Sequence, residues 1–298
     1  MPAPRGARPG RGAAVTGSTI IDAHTHVTAA SGSGVPRSPQ FPNAPMFTAP
    51  VEQLLEAMDT TGVDQAVLIQ PSLYGFDHSQ LLRCLEAHPN RFVGIALADP
   101  VGPNFPDELS ELVQRAPIRG IRLAPLIAPE LGWFDAAAEP MYEAAARLGL
   151  SANLLITPAV LPVVDRWVAA HPDLTIVVDH LARPDLDPQS PGTISDNLLR
   201  LARFDNVNVK MSALPEMSSR PYPHQDIRPW VRAVLTEFGA QRLMWGSDFP
   251  YTTDTDGYMQ ARTVLDECEV GDAERSRILS GTAAAVYRLP AFTEGPSL

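Results

Sequence analysis

The sequence has 298 residues, of which 45% are hydrophobic and 19% are charged, enough for one large domain with a substantial core. Its net charge of −11 excludes nucleic acid and anionic membrane surfaces as expected partners, because a negative field repels phosphate groups. The two cysteines, Cys84 and Cys268, are too few for a disulfide framework, so we predict a cytoplasmic protein whose thiols are packing residues.

Residues 1–18 are rich in glycine, proline, arginine and alanine, and they lack the apolar run of a secretory signal or a membrane helix. We predict that they form a disordered leader. From residue 19, short apolar runs alternate with segments of helical periodicity, without a change of composition that would mark a second domain. The prediction is a single domain over residues 19–290, followed by a tail of residues 291–298.

The apolar runs predict eight strands, at residues 19–24, 65–69, 92–97, 118–123, 151–156, 174–179, 207–210 and 242–245. The periodic segments predict helices near residues 51–60, 78–87, 106–114, 135–147, 159–170, 194–202, 228–238 and 258–268. Strands that alternate with helices form a parallel sheet, and eight such units close most simply into a (β/α)8 TIM barrel. A further helix, at residues 273–287, is predicted to pack across the outside of that barrel. The alternative is a doubly wound sheet. Such a sheet is expected to carry a glycine-rich phosphate loop after its first strand, where this chain has two histidines.

The first strand ends in the sequence IIDAHTH, at residues 20–26. Because side chains alternate along a strand, we expect Asp22, His24 and His26 to point the same way. Two imidazoles one pleat apart can bind one metal ion or one oxyanion. The stretch that follows, residues 28–50, is rich in proline, glycine and serine and is long for a loop, and its position predicts a lid.

A barrel enzyme collects its functional groups at the carboxyl ends of its strands. In this chain those ends carry polar side chains: Asp22, His24, His26, Gln70, Ser72, Asp99, Arg122, Asn153, Asp179, His180, Lys210, Ser212 and Asp248. We therefore predict one pocket that brings together three histidines, an arginine and an aspartate. A separation of more than about 10 Å between Asp248 and both His24 and His180 would contradict this, because proton transfer reaches over one hydrogen-bonded water.

Six stretches carry a family resemblance, namely IDAHTH (21–26), QPSLYGFD (70–77), GIR (120–122), VDH (178–180), VKMS (209–212) and WGSDFP (245–250). In this order and spacing they resemble the amidohydrolase superfamily. The resemblance is to the amidohydrolase-related branch that holds 2-pyrone-4,6-dicarboxylate lactonase, sugar lactonases and 4-sulfomuconolactone hydrolase. It spans residues 21 to about 287, nearly all of the predicted domain. It implies a hydrolase that opens the ring of a small anionic lactone, in a catabolic role.

The resemblance and the strand-end positions together imply the catalytic groups. Asp248 is the expected general base, which takes a proton from water as that water attacks a carbonyl. His24, His26 and His180 are expected to stabilise the oxyanion that forms. They could do so directly, or His24 and His26 could hold one zinc ion together with Asp248. Both modes stay open at this stage.

Substrate binding is assigned to Arg122, whose guanidinium can grip a carboxylate or sulfonate with two parallel hydrogen bonds. Ser72 and Tyr74 lie on the neighbouring loop and are expected to share that anion. The chain departs from the pattern at Tyr251, where many of these lactonases have histidine, which leaves the identity of the lactone open.

Two further departures bear on the reaction. Members with two metal ions carry a lysine or glutamate ligand after the fourth strand and a histidine after the fifth. This chain reads RLAP at residues 122–125 and ANLL at residues 152–155, so we expect no two-metal site. A metal-dependent decarboxylase of an aromatic or enoic acid is the second hypothesis, disfavoured by the missing histidine. A non-catalytic barrel that binds a small acid, with the histidine pair as an anion clamp, is the third.

Overall fold

The computed structural model describes residues 19–30, 35–187, 192–251 and 255–290. Its strands are β1 (Ile21–Thr25), β2 (Gln65–Ile69), β3 (Phe92–Leu97), β4 (Ile118–Leu123), β5 (Ser151–Leu154), β6 (Thr175–Val178), β7 (Val207–Met211) and β8 (Leu243–Trp245). They form one parallel sheet in chain order, and a parallel bridge between Thr25 and Phe249 joins its two ends. The predicted (β/α)8 barrel is confirmed. The predicted leader and tail lie outside the described residues.

The helices are α1 (Val51–Thr61), α2 (Ser79–Ala87), α3 (Phe105–Arg115), α4 (Glu139–Arg147), α5 (Leu161–Ala170), α6 (Asp196–Arg200), α7 (Leu214–Met217), α8 (Arg228–Phe238), α9 (Thr255–Thr263), α10 (Asp272–Ser276) and α11 (Thr282–Tyr287). The predicted terminal helix is split into α10 and α11 by a π-helical turn, Arg277–Gly281. In the part of the chain that the structure describes, every helix is too short or too polar to cross a bilayer.

Apolar side chains pack in two layers. The larger layer lies between the sheet and the surrounding helices. The smaller layer fills the barrel and consists of Ile21, Ala23, Val67, Ile69, Val93, Ile95, Val177 and Met244, together with residues of α11. The strands are therefore buried on both faces, and for this reason their sequences read as continuous apolar runs.

Helix α11 closes one end of the barrel. Ala283 and Tyr287 are fully buried in the inner layer, and the Tyr287 hydroxyl donates a hydrogen bond to Asn153 Oδ1 at 2.7 Å. At the start of β2, Gln65 Nε2 donates to the carbonyl of Pro290 at 3.2 Å, which places this segment at the amino ends of the strands. The prediction that the terminal helix packs across the outside holds for the π-helical turn, whose Ile278 and Leu279 belong to the outer layer. It is wrong for α11, because the apolar side chains of α11 complete the core inside the barrel.

A β-bulge in β1 separates Asp22 from the two histidines. The register of β1 against β2 shifts within the strand, and the neighbours of Asp22 on both sides belong to the inner layer. Asp22 instead faces the helices, where its carboxylate accepts hydrogen bonds from the Tyr258 hydroxyl at 2.8 Å and the Ser247 amide at 2.9 Å. The prediction that Asp22 points the same way as His24 and His26 is therefore wrong, because the extra residue of a bulge inverts the alternation beyond it.

Candidate active site

A cavity of about 480 Å³ lies at the carboxyl ends of the strands. Five of the residues predicted at strand ends line it, namely His26, Ser72, Arg122, His180 and Asp248. The cavity is large enough for a small metabolite, since ligand pockets commonly enclose about 300–1,000 Å³. Its position agrees with the rule that barrel enzymes build their sites at this face.

The loop predicted as a lid covers this cavity. Asn43, Pro45 and Phe47 line the cavity from the loop. The two ends of the loop are joined by two hydrogen bonds, from the Thr28 amide to the carbonyl of Ala49 and from the Ala49 amide to Thr28 Oγ1, both at 2.8 Å. The ends are thus fixed, and the part between them reaches over the pocket. Residues 31–34 lie outside the described residues.

His26 is held as a neutral imidazole with a defined tautomer. Its Nδ1 lies 3.0 Å from the carbonyl of Ile69, and because a carbonyl only accepts, Nδ1 carries the proton. Burial lowers the pKa of His26 to about 3, with the Arg122 charge acting in the same direction. Its Nε2 therefore has a free lone pair, which lies 3.2 Å from Nε2 of His24. Burial and the nearby Lys210 also lower the pKa of His24, so both rings are neutral.

Asp248 faces both histidines. Its Oδ1 lies 3.5 Å from His24 Nε2 and 3.7 Å from His26 Nε2. This oxygen is buried and accepts no hydrogen bond from the described residues. Burial raises the pKa of Asp248 well above that of an ordinary carboxyl, and the negative charge of Glu216 adds to the effect. A carboxyl with a raised pKa and an oxygen that accepts no hydrogen bond is suited to act as a general base.

His180 reaches the same place from a left-handed turn after β6. Residues 180–183 have φ angles of 51°, 55°, 58° and 54°, and none of them is glycine. The Ser212 hydroxyl lies 2.9 Å from His180 Nδ1, and the rings of His180 and His24 are 4.4 Å apart. Ligating atoms of His24, His180 and Asp248 all lie within 4.8 Å of one another. The structure therefore brings together the four predicted catalytic residues.

The residues present fit one divalent metal ion. His24 Nε2, His26 Nε2 and Asp248 Oδ1 form a triangle with sides of 3.2, 3.5 and 3.7 Å. Ligands of a tetrahedral zinc ion, at about 2.0–2.2 Å from the metal, stand about 3.3–3.6 Å apart. The unpaired Oδ1 of Asp248 is the kind of buried atom that a cation would satisfy.

A buried ion cluster lies beneath the histidines. Asp179 Oδ1 is 3.1 Å from Lys210 Nζ and 3.4 Å from His24 Nδ1, and Asp179 Oδ2 is 4.0 Å from Arg122 Nε. All four side chains are buried, so these charges are paired in a low-dielectric setting. Asp179 and Lys210 stood on the predicted strand ends without an assigned role. One feature of the sequence could have identified them: each is a charged residue at the end of an apolar strand, where the fold buries both faces of the sheet.

Arg122 and Ser72 face the cavity, whereas Tyr74 does not. Arg122 lines the cavity with a buried Nε that makes no hydrogen bond to the described residues, and Ser72 Oγ is likewise buried and unpaired. The Tyr74 hydroxyl instead accepts a hydrogen bond from the amide of Ala29 at 2.9 Å. Tyr74 therefore braces the start of the lid loop, and we do not carry it into the proposed binding site.

The outer wall contains residues that sequence reasoning left without a role. Phe47 and Tyr251 stack edge to face, with ring centres 5.7 Å apart. Arg183 pairs with Glu216 at 3.2 Å and with Asp185 through two bonds of 3.0 and 2.8 Å. Glu216 gave no signal because it lies on a helix of four residues inside a long loop.

Comparisons with known proteins agree with the resemblance seen in the sequence. A family model described as Amidohydrolase matches residues 21–289. L-fucono-1,5-lactonase of Burkholderia ambifaria is 28% identical over 281 residues, which cover 90% of this chain and 95% of that protein. 4-Sulfomuconolactone hydrolase of Rhizobium radiobacter is 27% identical over 248 residues, which cover 83% of this chain and 79% of that protein.

Solved structures share the fold along nearly the whole chain. A candidate 2-pyrone-4,6-dicarboxylic acid hydrolase of Pseudomonas putida superposes with a TM-score of 0.77 at 28% identity, over 92% of this chain and 98% of that one. A zinc-bound amidohydrolase of Burkholderia multivorans superposes with a TM-score of 0.75 at 24% identity, over 91% of this chain and 100% of that one.

Proposed function

The chain belongs to the amidohydrolase family, and from that premise we propose that it hydrolyses a small anionic lactone to the corresponding hydroxy acid. The observation that carries the proposal is the meeting of a carboxylate with two neutral imidazoles, at 3.5 and 3.7 Å, in a cavity that also holds a buried arginine. This arrangement supplies a base, an oxyanion site and an anion anchor.

Each step of ring opening has a group in the pocket. Asp248 removes a proton from a water molecule as its oxygen attacks the ring carbonyl, and neutral Asp248 then returns that proton to the ring oxygen when the C–O bond breaks. His180, which lines the cavity, donates a hydrogen bond to the negative carbonyl oxygen in between. When zinc is bound to His24, His26 and Asp248, it lowers the pKa of water and polarises the carbonyl.

The charges in the cavity favour a substrate with one acidic group. Arg183 is already neutralised by Glu216 and Asp185. Asp179 is paired mainly with Lys210 at 3.1 Å, which leaves the Arg122 charge, 4.0 Å away, largely uncommitted. Among the cavity-lining residues that the structure describes, Arg122 is thus the cation free to bind a carboxylate or sulfonate. The pocket is therefore proposed to hold that single group on Arg122, with Ser72 beside it.

The decarboxylase hypothesis finds less support. The cavity-lining residue contributed by the segment after β5 is Leu155, whose apolar side chain cannot bind a metal ion. The 5-carboxyvanillate decarboxylase of Sphingomonas paucimobilis shares the fold at 14% identity and a TM-score of 0.64.

The test is a panel of lactones with zero, one or two acidic groups, which includes the lactones named for the relatives. Ring opening is followed as acid release, with the purified protein before and after chelation. We expect the highest kcat/KM for a lactone with one acidic group. Tight binding of an acid without turnover of any lactone would support the non-catalytic alternative, and release of CO2 would support the decarboxylase.

A further inference from the structure

Lys210 is the only lysine in the chain, beside 22 arginines among the 23 basic residues. Its side chain is fully buried on β7, below the catalytic residues. Every other member of the 23 basic residues is an arginine. Unlike a planar guanidinium, the compact ammonium group of Lys210 donates in three directions from a single nitrogen atom.

The lysine begins a directed chain of hydrogen bonds. Lys210 Nζ lies 3.3 Å from His24 Nδ1, His24 Nε2 lies 3.2 Å from His26 Nε2, and His26 Nδ1 lies 3.0 Å from the carbonyl of Ile69. The carbonyl at the far end only accepts, so His26 carries its proton on Nδ1 and accepts on Nε2. An amine at the near end donates, so His24 accepts on Nδ1 and carries its proton on Nε2.

We propose that Lys210 is a positioning residue that fixes His24 in the tautomer protonated on Nε2, and that it thereby opposes metal binding at the histidine pair. In this tautomer the His24 proton satisfies the lone pair of His26, and no lone pair of His24 faces Asp248. The histidine pair is then hydrogen-bonded within itself without a metal ion, and His180 remains the proposed donor to an oxyanion.

Metal binding requires the other tautomer. His24 must move its proton from Nε2 to Nδ1, where Asp179 Oδ1 at 3.4 Å is the available acceptor. That proton would occupy the direction in which Lys210 now donates. Lys210 keeps its ion pair with Asp179 at 3.1 Å in either case, so the exchange costs one hydrogen bond and leaves the pair intact. Lys210 and a metal ion therefore compete for His24.

The inference rests on the proposed part of His24 and His26 in the pocket, but not on the lactone. The first experiment uses the chelated wild-type protein, labelled with 15N in its histidine rings, with the His24 signals assigned by comparison with His24→Gln. We expect His24 with a protonated Nε2 and a bare Nδ1. A protonated Nδ1 in the metal-free protein would overturn the proposal. No substitution at Lys210 is needed, so this measurement does not depend on whether such a variant folds.

The second experiment measures zinc binding by calorimetry for the wild type, Lys210→Met and a control. Asn208→Ala is the control, because it lies two residues earlier on the same face of β7 and its amide donates to the carbonyl of Ile176 at 3.4 Å. We expect Lys210→Met to bind zinc about 10-fold more tightly, the weight of one hydrogen bond. Its His24 should also change tautomer, which the loss of a positive charge alone would not cause.

Unchanged zinc affinity and an unchanged His24 tautomer in Lys210→Met would refute the competition. Neither readout involves turnover. An inactive lactone panel would therefore leave this inference standing, and a failure of this inference would leave the lactonase proposal standing.

Discussion

The amide of Asp248 donates a hydrogen bond to the carbonyl of His24 at 3.0 Å, while the side chains of the same two residues meet at 3.5 Å. The first contact joins the segment after β8 to β1 and so closes the barrel. The second places the proposed base against the histidine pair. Closure of the barrel and assembly of the catalytic pair are therefore one event, and the pair cannot form in a chain whose last strand is displaced.

Asp248→Asn is expected to lower kcat for the preferred lactone by about 10²–10⁴-fold, because an amide cannot take the proton from water. The free energy of unfolding should change little, since the amide fills the same space. Asp99→Asn is the control, because Asp99 is a carboxylate at another strand end and is not among the residues that line the cavity, so this variant should keep most of the rate. Full activity in Asp248→Asn would show that the base is another group.

Arg122→Met is expected to lower kcat/KM for a lactone with one acidic group by about 10- to 100-fold, since a hydrogen bond to a charged partner contributes about 1.5–3 kcal/mol. A neutral lactone of the same ring size is the control substrate, and the substitution should lower kcat/KM for it much less. Steady-state kinetics on both substrates measure the difference. Equal losses on both would mean that Arg122 supports the pocket through Asp179 and does not bind the acid.

Acid should destabilise the protein partly through His78, which lies outside the active site at the start of α2. Its Nε2 is buried without a hydrogen-bond partner among the described residues, and burial lowers the pKa of His78 to about 4. In the unfolded chain the pKa of His78 is near 6.5, so between pH 6.5 and pH 4 the unfolded state binds a proton that the folded state does not. The contribution of neutral His78 to the free energy of unfolding is therefore complete above pH 6.5 and is lost as the pH falls towards 4.

The loss attributable to His78 over that window is about 3 kcal/mol. His78→Asn should remove most of this pH-dependent loss of stability. The asparagine amide can still donate to the backbone at Leu97, as His78 does. Urea unfolding between pH 7 and pH 4 measures the difference, with His88→Asn at the other end of α2 as the control. Parallel pH profiles for the wild type and His78→Asn would contradict the assignment.

Tyr287→Phe tests the floor of the barrel. The variant keeps the ring in the inner layer but leaves Asn153 Oδ1 without its donor, which should lower the free energy of unfolding by about 1–3 kcal/mol. The rate should stay unchanged, since neither Tyr287 nor Asn153 lines the cavity and the variant keeps the ring that lies 5.5 Å from Lys210 Nζ. Thermal unfolding and a lactone assay on the same sample measure both effects. A slower reaction at unchanged stability would place Tyr287 in the catalytic network.

The strand ends show how far sequence can predict this site. His24, His180 and Asp248 follow apolar runs, and the strand-end rule for barrels brings them together without any knowledge of loops. Asp22 defeats the same reasoning, because a bulge is a local irregularity that alternation cannot reveal. Lys210 shows a second limit, since a strand end gives the position of a side chain but not the direction in which a hydrogen bond runs.

Two other features depend on long-range packing. Tyr287 enters the barrel because the inner layer has room at the amino ends of the strands, and helical periodicity alone does not tell an inner surface from an outer one. Glu216 reaches the cavity from a long loop whose path is set by tertiary contacts, such as its ion pair with Arg183. Such positions become predictable only when the fold is known.

The left-handed turn after β6 carries His180 at its start and Arg183 at its end. Left-handed backbone costs about 1–2 kcal/mol for each residue other than glycine, so the turn keeps its shape only while its anchors, Ser212 at one end and Asp185 with Glu216 at the other, remain in place. His180, the proposed donor to the reacting carbonyl, and Arg183, which shapes the outer wall, are thus parts of one rigid turn. An engineer who reshapes that wall to admit a bulkier ring will therefore alter reaction speed as well, and the two properties will have to be selected together.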